Sequence, residues 1–224
     1  MAATLSAFEP IEGIDGLYTA TKDQLRCTAI QLKSGGICLY SPVAGLDTAA
    51  KENLEEIGPV EFLLAPNHYH NKGLVEYHEA YPDAKTIAPE ASHDRLEKQT
   101  GLEFKSMDPV LDLLPRTMHF ASPAGLKTGE TWLLVSGNGN TGWLVVDAFS
   151  GAKNPNGKEC HSPHLLGTFP NFGIGNKAAY VQWLRDLIKS HPPNILVPFH
   201  GSIIRNVNLG KQLKDLMAEK IGVC

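Results

Sequence analysis

Phe62-Leu63-Leu64-Ala65-Pro66-Asn67-His68-Tyr69-His70-Asn71-Lys72-Gly73 constrains this chain more than any other stretch. An apolar run meets a proline and opens into a loop with histidines at i and i+2, the pattern of a buried strand that ends at a site. In extended backbone, residues two apart project to one side, so His68 and His70 are expected to aim both imidazoles at one point. Two more strand-like runs end in a potential ligand: Trp143-Leu144-Val145-Val146 before Asp147, and Ile195-Leu196-Val197-Pro198-Phe199 before His200. Imidazole and carboxylate together suit zinc, iron or manganese rather than calcium or magnesium. Three protein ligands with one open position would leave room for a metal-bound water able to attack an ester, amide, thioester or phosphoester.

The segments around this stretch alternate. A hairpin is expected from Cys27 to Tyr40, turning at Gly35-Gly36, then a helix from Asp47-Thr48 to Ile57 closed by Gly58-Pro59. A strand over 60–65, a helix over 74–80, a strand over 86–88 and a helix over 90–100 follow, the order of a layered α/β structure. Three strands are expected between Arg116 and Val146, the last two joined at Gly137-Asn138-Gly139-Asn140. A helix from Ala178 to Ser190, the strand before His200 and a helix from about Leu209 complete the chain. Between them, residues 149–175 are rich in Gly, Pro and Asn; a loop that long is usually functional or disordered.

At 224 residues with a net charge of −4 and no dense Lys/Arg block, the chain lacks the basic surface that phosphate backbones require, so nucleic acid is not an expected partner. No apolar run is long enough to span a bilayer, and Met1 to Pro10 lacks the basic start and apolar core of a secretion signal. A cytoplasmic setting, no membrane and a small-molecule ligand or substrate are therefore expected; oligomeric state is left open. The four cysteines show no paired metal spacing. A two-residue hairpin turn would set Cys38 opposite Lys33 rather than Cys27, which argues against a disulfide there. Cys160, His161 and His164 lie in the long loop, where they could supply ligands.

The succession Asn-His-Tyr-His-Asn-Lys-Gly after a strand, Ser122-Pro123-Ala124-Gly125-Leu126-Lys127-Thr128-Gly129-Glu130 before another, then Val145-Val146-Asp147 and Val197-Pro198-Phe199-His200-Gly201, resembles the metallo-β-lactamase superfamily. Leu39-Tyr40-Ser41-Pro42-Val43, Leu64-Ala65-Pro66-Asn67 and Tyr81-Pro82-Asp83-Ala84-Lys85 are similar to a β-lactamase-like branch of unknown function. The resemblance covers nearly the whole chain. It implies one domain over residues 1–224, an αββα sandwich of two mixed β-sheets flanked by helices, with the site along one edge.

The resemblance also exposes losses. The superfamily pattern is His-x-His-x-Asp-His; His68 and His70 match its first pair, but Lys72 stands at the aspartate and Gly73 at the next histidine. Leu126 occupies the place of a further histidine, while Asp147 and His200 match the bridging carboxylate and the final histidine. What is implied is a degenerate site with one metal at most, on His68, His70, Asp147 and His200, with Asp147 ligating the ion or orienting its water. The alternative is a metal-free binding or regulatory module, in which the Lys72 ammonium pairs with Asp147 and replaces a metal charge.

Overall fold

The computed structural model describes residues 4–153 and 161–222; Cys160 and Cys224 lie outside them. The first half runs β1 (Glu9–Pro10), β2 (Leu17–Lys22), β3 (Leu25–Gln31), β4 (Ile37–Tyr40), α1 (Thr48–Ile57), β5 (Val60–Leu64), α2 (Leu74–Ala80), β6 (Lys85–Ile87) and α3 (His93–Thr100). The second runs α4 (Asp108–Leu111), β7 (Met118–Ala121), β8 (Trp132–Gly137), β9 (Asn140–Ser150), α5 (Phe169–Phe172), α6 (Lys177–Ser190), β10 (Ile195–His200), β11 (Ile204–Arg205) and α7 (Leu209–Ile221).

The strands form one curled, mixed sheet in the order β6-β5-β4-β3-β10-β9-β8-β7. Its two halves meet where β10 pairs with β3 through the single register pair His200↔Leu25. Alternation along the strands shows why they fold against each other. Ile30, Cys38, Phe62 and Leu64 face inward, into a core shared with Trp132, Trp143 and Val145 of the other half. Their neighbours Ala29, Leu39, Leu63 and Ala65 face outward, onto Leu54 of α1, Leu74 and Tyr77 of α2 and Leu96 of α3. On the far side α6 and α7 lay Val181, Leu184, Leu213 and Met217 against the sheet. The layers are therefore helices, half-sheet, half-sheet, helices, as expected.

Local signals account for the helix starts. Asp47 caps α1 by accepting from the Ala50 N–H, and Asn176 caps α6 by accepting from the Ala179 N–H, each satisfying a free first-turn donor. Asn138 and Gly139, both at positive φ, make the two-residue turn between β8 and β9. One hairpin differs from expectation. The β3–β4 connection spans five residues rather than two, so Cys38 faces Ile30, not Lys33. Cys27 and Cys38 remain free and buried, as argued.

Candidate metal centre

Three chain segments deliver polar groups to the place where the two half-sheets join. His70 sits in the loop between β5 and α2, Asp147 lies within β9, and His200 ends β10. One nitrogen of each imidazole and one carboxylate oxygen all lie within 4.8 Å of one another. His70 Nε2 is 3.3 Å from Asp147 Oδ1, and His200 Nε2 is 3.1 Å from the same oxygen. Asn67 donates from Nδ2 to Asp147 Oδ2 at 2.8 Å. Burial alone would raise the Asp147 carboxyl, but hydrogen bonds from His200, His70 and Asn67 outweigh it and hold the acid well below the usual carboxylate range.

His70, Asp147 and His200 line the floor of a cavity of about 620 Å³, walled by Pro42, Val43, Tyr69, Phe172 and Phe199. The His70 ring packs edge-on against Phe199, with centroids 4.2 Å apart. Behind Asp147, the buried Glu130 accepts from Trp132 Nε1 at 2.6 Å and from the Val146 N–H at 3.3 Å. Residue Leu133 is the last of β8 to pair with β9 in this direction, so Glu130 takes over a ladder bond that β8 no longer supplies. Burial, with the charge of Asp147 added, pushes the Glu130 carboxyl up to about 8.

Two sequence expectations need correction. His68 stays outside the cluster. The chain does not run extended here: the His70 N–H bonds back to Asn67 O at 3.3 Å and the Tyr69 N–H to Asn67 Oδ1 at 2.8 Å. A turn replaces the period of two, so the histidines part. The His68 ring instead packs edge-on against Tyr69, and burial together with the Arg95 guanidinium lowers its pKa. Nor does Lys72 pair with Asp147. Lys72 is exposed at the cavity rim, and Asp147 bonds to His70, His200 and Asn67 instead. The loop candidates also stay apart: His161 Nδ1 lies 3.3 Å from Arg205 O, and His164 joins β9 through a two-way backbone bridge to Ser150.

Sequence reasoning overlooked Ser41, Asn67 and Glu130, though each stands in a stretch it singled out. Ser41 Oγ lies 2.5 Å from His70 Nδ1. A small polar residue between a buried strand and a proline was the available signal.

The donor chemistry fits a first-row transition metal. Two imidazole nitrogens and one carboxylate oxygen converge, and the remaining nitrogen of His70 already has an outer partner in Ser41, the arrangement that orients ligating histidines. No family model and no curated protein matches the chain. Solved structures do. DIM-1 metallo-β-lactamase exposed to ceftazidime superposes with a TM-score of 0.65 at 10% identity, covering 98% of this chain and 99% of that one. A metallo-β-lactamase from Pontibacter korlensis gives 0.62 at 13%, covering 97% and 100%. FIM-1 from Pseudomonas aeruginosa, in its mono-zinc form, gives 0.62 at 13%, covering 99% and 97%.

Proposed function

From the premise that the chain has the metallo-β-lactamase fold, we propose that it is a hydrolase using one metal ion on His70, Asp147 and His200. The observation that carries this reading is the convergence of three donor atoms from three separate chain segments at the floor of one cavity. A single ion is in keeping with the mono-zinc form of FIM-1, a protein of the same fold. Zinc, iron or manganese would suit the donors; such an ion supplies Lewis acidity and lowers the pKa of a water it holds.

The chain's own residues do the rest. Asp147, fixed by Asn67 and kept ionised by its neighbours, offers one oxygen toward the two histidines and leaves the other on Asn67. Ser41 and Phe199 hold the His70 ring on opposite counts, one by hydrogen bond and one by edge contact. Tyr69, Phe172 and Val43 give the cavity an apolar wall, and its volume suits a small ester, amide, thioester or phosphoester. The ion pair of Lys72 with Asp147 that the metal-free alternative called for is not formed, which leaves that alternative resting on the lost ligands alone.

The test is a hydrolysis panel on metal-reconstituted protein: an aryl ester, a lactam, an acyl thioester and a phosphodiester. One class should turn over, lose its rate on chelation and regain it on readdition of metal. Asp147→Asn should lower that rate on the order of 100-fold or more, above the cost of disturbing a group outside the ligands. Turnover of every class at the buffer rate by metal-loaded protein would reject the reading.

A further inference from the structure

The three donor residues occupy only the floor of the cavity, whose volume lies in the range that holds a drug-sized molecule rather than a reacting bond alone. The wall and the rim say what the rest of it suits. The wall is apolar, built from Pro42, Val43, Phe172, Phe199 and the ring of Tyr69. The rim carries charge: Lys22 and Asp23 reach it from the two-residue turn between β2 and β3, and Lys72 from the loop that leads into α2.

Both lysines are anchored to one short segment, Pro42 to Gly45. Lys22 Nζ donates to Ala44 O at 3.0 Å, and its stem lies along Gly45, where a Cβ would come within 2.7 Å of Nζ and 3.1 Å of Cδ. Gly73, next to Lys72, presses on Pro42 O and Ala44 N. An ammonium has three donors, and Lys22 uses one on Ala44 O. Among the described residues neither lysine has a carboxylate within ion-pair distance, Asp23 included. Two positive charges without a counter-charge therefore stand at the mouth of an apolar-walled cavity, in a chain whose net charge is −4. The same segment sets the reach. It leaves Ser41, whose hydroxyl meets His70 Nδ1, and passes the Lys22 ammonium three residues later at Ala44. Three extended residues span at most about 11 Å, so a short apolar tether joins floor to rim.

We propose that Lys22 and Lys72 form an anion grip that selects the ligand of this cavity: a molecule with an apolar body, its reacting bond at the floor and a carboxylate or phosphate at its far end. As a statement about substrate this rests on the hydrolase reading; as a binding site it stands by itself. Carboxylate and phosphate share the oxyanion that an ammonium recognises as a point charge. Lys22, held by its bond to Ala44, meets the anion in a fixed position, whereas the exposed Lys72 is free to fold over it.

The test is calorimetric binding of a matched set, phenylhexanoate, phenylhexyl phosphate, phenylhexanol and phenylhexylamine, to the full chain freed of metal, so that no ion on the floor takes the acid. At least one anion should bind about tenfold more tightly than the alcohol, with the amine weakest, and salt at about 1 M should remove most of the difference. The tighter anion identifies the head group. Lys72→Glu should abolish the preference, and Lys22→Gln should reduce it about threefold. If Lys22→Gln disturbs the segment it is bonded to, Lys72→Glu decides, since its exposed side chain has no bond to lose among the described residues. With metal restored, a dicarboxylic half-ester should show a lower KM than its methyl ester in wild type and not in Lys72→Glu. Equal binding of anions and alcohol, a preference for the amine, or a preference unchanged by Lys72→Glu would overturn the proposal. Anion preference without turnover of any ester sinks the hydrolase reading alone; turnover without anion preference sinks this inference alone.

Discussion

The side chain of Asn67 donates to Asp147 Oδ2 at 2.8 Å across 80 residues of chain, and its own oxygen accepts from the Tyr69 N–H. One fully buried amide thus shapes the loop that carries His70 and fixes the carboxylate that loop faces. Asn67→Ala leaves a buried carboxylate oxygen and a turn N–H without their partners. Unfolding by denaturant should show a loss of about 2–4 kcal/mol, the sum expected for a charged and a neutral buried bond. Zinc affinity should fall in the same variant, because the carboxylate is no longer held.

Gly73 explains a missing ligand. A Cβ at this position would lie 2.4 Å from Pro42 O and 2.9 Å from Ala44 N, both backbone atoms that cannot swing aside. The loop is pressed against the segment after β4 too tightly for any side chain, histidine included. Gly73→Ala should therefore destabilise by about 1–3 kcal/mol, as overpacking does, measured as a shift of the denaturant midpoint. An unchanged midpoint would mean that the two segments separate easily.

Glu130 should make stability depend on pH in the direction opposite to Asp147. Its carboxyl rises from an ordinary 4.5 to about 8 on burial beside Asp147, so between those values the folded chain holds a proton that the unfolded chain has released. Stability from this group is complete below pH 4.5 and declines as pH rises toward 8. Asp147, with its pKa depressed, contributes above its unfolded value and loses that contribution as pH falls. Glu130→Gln should flatten the decline between pH 5 and 8, a difference from wild type of roughly 3 kcal/mol at pH 7. Parallel pH profiles for the two proteins would refute the assignment.

Much of the fold was legible because its signals are local. Asp47 before an apolar-periodic run and Gly58 after it bound α1, and α2 runs over 74–80 as read. The long apolar strands carried the alternation that builds two cores. What stayed hidden depends on partners distant in sequence. The strand expected to end at Val146 runs on to Ser150, because β10 pairs with it again at His200↔Ser150 after a register shift. Asp147 consequently projects from inside a strand rather than from its end. His68 was misplaced because the side chain of Asn67 bends the loop, which spacing alone does not reveal. Phe172 and Tyr69 line the cavity, whereas Phe169 is taken wholly into the core.

The central claim is that His70, Asp147 and His200, and not His68 or Lys72, hold the ion. Its most direct test is a zinc titration against a chromophoric chelator, run on wild type, His68→Ala, Lys72→Ala, His70→Ala and His200→Ala. The account predicts one equivalent bound by wild type, the same stoichiometry and nearly the same affinity in the first two variants, and a loss on the order of 100-fold or more in the last two. A wild type that binds no zinc, or a His68→Ala loss as large as that of His200→Ala, would contradict it.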